Sequence, residues 1–200
     1  MIAMKKIGFK GLMAGMALAC SFALPAVAAE VSGVKFADTT TIATKELKLN
    51  GLGMRTKFGM VKVYAAGLYL PEKKSTTADI MKLEGPRRVT LVMMREISSE
   101  DFGQAFMSGL NVNLDKTEKS KIVSQIAKFG EMFATIERLK KGDVLHLDWI
   151  PGAGTQTELN GKRIGETLPD LAFYNAVLRI WIGDKPADSS LKPALLGAQS

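Results

Sequence analysis

Thiol chemistry is almost missing from this chain. Cys20 is the only cysteine in 200 residues, and it sits inside an N-terminal apolar run. Once that run is set aside, the chain can form no disulfide and has no thiolate nucleophile. Its stability in an oxidising compartment must then come from its core. Histidine is as scarce, with His146 alone. No group of Cys, His, Asp and Glu falls at metal-ligand spacing. There is no G-x-S-x-G elbow, no phosphate-binding loop and no Ser/His/Asp set. Gly152-Ala153-Gly154 has no helix directly behind it, so it is a turn and not a dinucleotide fingerprint. No cofactor is expected.

Long hydrophobic runs are also lacking. Gly11–Leu24 is uncharged and apolar but too short for a convincing membrane span. Lys5, Lys6 and Lys10 precede it, and Pro25 and the A-x-A pattern Ala26-Val27-Ala28 follow. That order is the pattern of a secretory signal peptide. The expectation is a signal peptide over 1–28, cleavage near Ala28, and one domain over 29–200 in the periplasm or secreted. No stable membrane insertion is expected after cleavage. Ala17-Leu18-Ala19-Cys20 loosely resembles a lipoprotein box, which leaves lipidation at Cys20 as an alternative. The box lacks a large aliphatic residue three before the cysteine, and apolar sequence continues past it.

The formal charge of +7 falls to +4 without the three leader lysines. The cations are scattered, with short pairs at Lys73-Lys74, Arg87-Arg88 and Lys140-Lys141. No nucleic-acid module is visible, and no nucleic-acid partner is expected. A mildly basic surface weakly favours anionic ligands or anionic membrane lipid.

What is present is a core. With 46% apolar residues the chain can bury one. The pattern predicts strands over Val31–Phe36, Glu46–Leu49, Met54–Phe58 and Met60–Leu70, with Asn50-Gly51 as a turn and Gly59 as a break. A short helix over Thr76–Leu83 precedes an inner strand over Arg88–Met94. Ser98-x-x-Asp101 opens a helix with Phe102, Phe106, Gly109 or Leu110, and Asn113 on one stripe. Thr117 is positioned to cap a longer helix bearing Ile122, Ile126, Phe129, Met132 or Phe133, and Ile136. Strands over Val144–Ile150 and Thr155–Leu159 follow, with Asn160-Gly161 as a hairpin turn into Lys162–Gly165. Helices over Asp170–Ile182 and Ser189–Leu196 end the chain. Strands, helices, strands and helices in that order read as α+β, an antiparallel sheet with helices on one face.

Four stretches carry a resemblance. G-x-G-x-R at Gly51–Arg55 followed by KVYAAGLYL, then KKGDVLHLDWIPGAGT and NGKRIGE, then AVLRIWIGDKP, resemble the bacterial branch of the chalcone isomerase fold family over about Val31–Gly197. The resemblance implies an open-faced sandwich with a ligand cleft between sheet and helices. Arg55 and Tyr64 are similar to the Arg and Tyr that plant fatty-acid-binding members use. An arginine fork with a phenol hydroxyl suits a carboxylate. In the plant isomerases the Tyr64 position is usually Thr. Their Tyr, Lys and Asn on the first long helix fall at Phe102, Ala105 and Gly109, and a later Ser/Thr falls at Ile180. A shift of one turn would bring Gln104 or Ser108 inside instead.

The resulting expectation is an exported, non-catalytic protein that binds a small amphipathic molecule, a fatty or aromatic carboxylate. Arg55 and Tyr64 hold the head, and Phe102 and Phe106 line the tail region. One alternative is an isomerase, an intramolecular lyase in which Arg55 stabilises a developing enolate. Another is an accessory protein that binds haem through His146, or binds a partner through an apolar patch near Trp149 or Trp181. Otherwise His146, alternating with Asp148, is a solvated strand residue. Arg95 is expected to pair with Glu96, Arg179 with Asp184, and Trp181 to be a packing anchor.

Overall fold

The computed structural model describes residues 28–198. Cys20 and all of the expected 1–28 leader except Ala28 lie outside the described residues. The described chain begins with a hairpin of β1 (Ala28–Val31) and β2 (Val34–Ala37). Then come β3 (Thr39–Ile42), β4 (Lys45–Lys57), β5 (Val61–Leu70), helix α1 (Thr77–Lys82) and β6 (Arg87–Met93). A helical stretch follows: β7 (Ile97–Ser98), α2 (Ser99–Asn113), α3 (Lys116–Lys121), α4 (Val123–Ala134) and β8 (Arg138–Leu139). Last come β9 (Val144–Ile150), β10 (Gly154–Leu159), β11 (Lys162–Leu168), α5 (Leu171–Ile182) and α6 (Leu191–Leu195).

Seven strands form one antiparallel sheet in the order β11-β10-β9-β6-β5-β4-β3. Alternation divides its side chains between two faces. Tyr64, Ala66 and Leu68 of β5, with Leu91 of β6 and Leu147 of β9, lie under the helices. Ala65 and Tyr69 of β5, with Leu47 and Leu49 of β4, face the other way and meet Phe36 of the β1–β2 hairpin. Each fully buried aliphatic side chain contributes roughly 1.5–3 kcal/mol. The centre of the helical layer is α5, with eight of its twelve residues buried. It is therefore apolar nearly all round and not along one stripe. Its last turn carries Ile180 and Trp181 onto the β4–β5 pair.

Five expectations change. Asn50-Gly51 is not a turn: β4 runs straight through it, joining the two strands predicted on either side. Buried Asn50 donates through Nδ2 to the carbonyls of Lys74 (2.9 Å) and Leu195 (2.8 Å), and its Oδ1 accepts from Lys74 N (2.7 Å). A Cβ on Gly51 would lie 2.1 Å from the Ala194 carbonyl, and one on Gly53 2.8 Å from Leu191. The glycines let α6 cross the strand in contact with its backbone, and a side-chain amide replaces the hydrogen bonds that a turn would have used. The predicted Thr117 cap is Asp115, in a capping box with Glu118. The long helix is broken at Ile122, whose ψ of 15° ends α3 before α4 starts. Arg179 pairs with Glu118 at 2.8 Å, not with Asp184, because the capping box holds Glu118 within its reach. Glu96 pairs with Arg138 at 2.9 Å, not with Arg95, because the β7–β8 pairing lays Arg138 alongside it.

Candidate functional site

Arg55 on β4 and Tyr64 on β5 are direct cross-strand partners. Both therefore point to the helical face, at the end of the sheet where α2 and α5 converge. There they line a cavity of about 40 Å³ with Phe102, Ala105, Phe106 and Ile180. The four expected site residues thus meet at one place. The rest of the wall is Ile97, Asp101, Trp181 and Ala187. Of the four positions matched to plant isomerase polar groups, Phe102, Ala105 and Ile180 line the cavity. Gly109 is set back, against Ile180. Gln104 and Ser108 are exposed, and Gln104 bonds Glu100. The one-turn shift that would place them inside does not occur.

Trp181, expected as a packing anchor, has a second job. Its indole N–H donates to the Tyr64 hydroxyl at 2.8 Å. An indole only donates. The phenol oxygen is thereby an acceptor, and no acceptor among the described residues takes its proton. Burial pushes the Tyr64 pKa above its ordinary value, although the Arg55 charge and the Trp181 bond pull the other way. Tyr64 is thus a neutral donor directed by Trp181. Only the indole nitrogen hints at this in the sequence, because the partner lies 117 residues away.

The Arg55 guanidinium lies over the Tyr64 ring, 5.3 Å from its centroid. It has no salt bridge among the described residues, and its Nε is buried with no hydrogen-bond partner. The carboxylate that could have neutralised it, Asp188, is engaged elsewhere. Its Oδ2 accepts from Thr56 N (2.8 Å) and Oγ1 (3.1 Å), and its Oδ1 from Ser190 N (2.8 Å) and Oγ (2.6 Å). Burial raises its pKa, but these donors outweigh burial and hold it below the ordinary carboxylate range. Asp101 is exposed at the first turn of α2 and accepts from Ser98 Oγ. The site is a fixed positive charge and a phenol donor at one end of an apolar chamber.

His146 is not part of it. Alternation on β9 puts it on the opposite face of the sheet, where its Nδ1 is 2.9 Å from Thr90 Oγ1. Burial, then the Arg88 charge, lowers its pKa to about 4. It is half-buried and bonded, not solvated as its polar neighbours suggested. Trp181 is buried and Trp149 half-buried, so neither marks an exposed apolar patch.

A family model described as chalcone isomerase-like matches residues 28–197. This chain belongs to the chalcone isomerase-like family. No curated protein sequence matches it. Among solved structures, it is similar to the fatty-acid binding protein AtFAP1 of Arabidopsis thaliana, with a TM-score of 0.70 and 17% identity over 86% of this chain and 96% of that one. At that identity the likeness speaks for the fold. The chalcone isomerase-like sheet and its helical cover are thus shared with AtFAP1, and what this member does rests on its own cavity.

Proposed function

We propose that this protein binds the anionic head of a small amphipathic carboxylate between Arg55 and Tyr64, without transforming it. The observation that carries the reading is the buried, unpartnered Nε of Arg55 beside a phenol whose proton is free. A guanidinium keeps its charge at any physiological pH, so an enclosed one needs an anion or several acceptors. A carboxylate would take two parallel N–H bonds from the fork and a third from Tyr64. That AtFAP1 is described as fatty-acid binding supports the same ligand class. The lysine-flanked apolar leader supports an exported location for it.

Size limits the ligand. The cavity is well below the roughly 300–1,000 Å³ of pockets that enclose a drug-sized molecule. It admits a head and a short stem. Phe106 stands between it and a groove of about 540 Å³ lined by Met107, Ile126 and Phe129. Phe106 stacks on Phe129 at 4.3 Å and Phe102 on Phe133 at 4.7 Å. A longer tail reaches the groove by turning Phe106 aside. Enolate chemistry would need a base and further donors at the cavity: Phe102, Ala105 and Ile180 supply neither, and Asp101, the one carboxylate on the wall, is engaged with Ser98.

The test is titration of residues 28–200 with saturated carboxylates from two to eighteen carbons, read by Trp181 fluorescence in a Trp149→Phe background. Saturable binding is expected, with Arg55→Ala weakening it about 10-fold or more, the size of a lost charge-assisted hydrogen bond. Phe106→Ala should shift the preference to longer chains. No binding across the series, or equal binding by Arg55→Ala, would remove this reading.

A further inference from the structure

The most exposed apolar residues are not near either tryptophan. They are at the tip of the β4–β5 hairpin, where Phe58 is 83% and Met60 84% exposed. Val61 beside them is also exposed. The tip fits neither solvent nor its own turn. Phe58 has φ 55 and Gly59 φ 70. The left-handed region suits Asn, Asp or Gly at a hairpin, and a bulky residue there is an outlier. Folding alone would favour a different residue at position 58.

The charges around the tip share one sign. Lys57 and Lys62 flank it, both exposed, and the Lys57 ammonium sits 5.4 Å from the Phe58 ring centroid. The strand register brings more cations to the same end of the sheet. Tyr64 pairs with Met93, so exposed Arg95 follows β6 out at this end. Val92 pairs with Val144, and the turn into β9 carries exposed Lys140 and Lys141. Leu159 pairs with Lys162, so β11 begins here with Lys162 and Arg163, exposed as well. From β4 to β11 the row spans roughly 24 Å at ordinary strand spacing. Acids are fewer at this end and mostly engaged: Asp143 accepts from Lys140 N and Asn160 Nδ2, Glu96 from Arg138, and Asp188 from Thr56, while Glu158 lies opposite Arg163 in the register.

We propose that this end of the molecule docks on the surface of an anionic lipid bilayer, with the side chains of Phe58 and Met60 in the interface and the cationic row over the headgroups. An aromatic and a methionine on a projecting turn gain by leaving water, and lysines beside them gain from anionic headgroups within a Debye length of about 10 Å. The apolar tip distinguishes this partner from nucleic acid, which would use the row without the tip. Arg55 lies two residues before Lys57, so the docked end is also the end that holds the cavity. The proposal does not require the cavity to be occupied.

The experiment is co-sedimentation of residues 28–200, which contain the whole fold described above, with vesicles of phosphatidylcholine alone and with about a third phosphatidylglycerol. Binding is expected to be at least 10-fold tighter on the anionic vesicles and to weaken several-fold as salt rises from about 0.1 to about 0.5 M. Phe58→Asn with Met60→Ser should abolish it. Because Asn suits the left-handed turn, the melting temperature of this variant should not fall, which separates lost docking from lost folding. Phe58→Trp should show a blue-shifted emission on anionic vesicles. Absence of binding to anionic vesicles, or undiminished binding by the Asn/Ser variant, would overturn the proposal. Binding to heparin as tight as to vesicles and unaffected by that variant would assign the row to a soluble polyanion instead.

Discussion

The two faces of the sheet treat an arginine in opposite ways. On the face away from the helices, Arg88 donates to both oxygens of Asp148, Nε at 2.7 Å and Nη2 at 2.6 Å, and Nη1 reaches Thr40 Oγ1 at 3.2 Å. Burial lowers the Arg88 pKa, but the paired carboxylate more than restores it. On the helical face Arg55 has no carboxylate, and its Nε is unpartnered. Arg87 is an intermediate case: fully buried, its Nη1 donates to the Ile80 carbonyl and Asn175 Oδ1, the Tyr174 ring is 5.6 Å away, and its Nε and Nη2 have no partner, yet it does not line the Arg55 cavity. The lesson is that burial alone does not separate a structural arginine from a receptive one. Nor does an unmet donor alone, since Arg87 has two: what sets Arg55 apart is an unmet donor on a side chain that lines a cavity.

The comparison breaks most visibly through Asp148. Asp148→Ala leaves the Arg88 charge without its partner and should cost about 3 kcal/mol in chemical denaturation. A loss below about 1 kcal/mol would mean that the pair is no firmer than a surface bridge. Next is Trp181→Phe, which leaves the buried Tyr64 hydroxyl without its donor. About 2 kcal/mol of stability should go, along with part of the carboxylate affinity. Unchanged affinity would show that Trp181 does not orient the phenol.

A smaller effect comes from pH. His146 binds its proton near 6.5 when unfolded and near 4 when folded. Between those values the unfolded state holds more protons, so this residue's contribution is full above about 6.5 and is lost as pH falls toward 4. His146→Gln should flatten that part of the stability profile relative to the parent. The smallest effect should be on the helical face: Arg55→Met should leave stability within about 0.5 kcal/mol or raise it, since it removes an uncompensated charge and keeps the stem. A large loss from Arg55→Met would make Arg55 a structural residue like Arg88.

Much of this was legible in the sequence. The period-two runs and the Gly59 break place Arg55 and Tyr64 on neighbouring strands, and the helical stripe places Phe102 and Phe106 over them. The family resemblance adds the expectation that these four meet. Other features were not legible, for physical reasons. Asn50-Gly51 has the composition of a turn and becomes strand only because α6 arrives from 145 residues later. Trp181 looks like packing until its indole N–H is seen to have one oxygen in reach. His146 reads as solvated because alternation gives its side of the strand but not what covers that side. The projecting Phe58 hides in an alternating strand pattern, since its φ has no signature in an aromatic residue.

The crossing of α6 over Gly51 and Gly53 bears on how the chain is made. The strand that presents Arg55 is held at Asn50 by the Leu195 carbonyl, 145 residues later in the chain. A contact spanning so much of the chain forms late. Until that helix docks, the glycine-rich stretch of β4 lies bare, and its backbone is open to proteases and to stray strand pairing. The strand bearing Arg55 is therefore secured only once α6 has docked, and a chain whose α6 has not docked is a target for degradation before the cavity is in place.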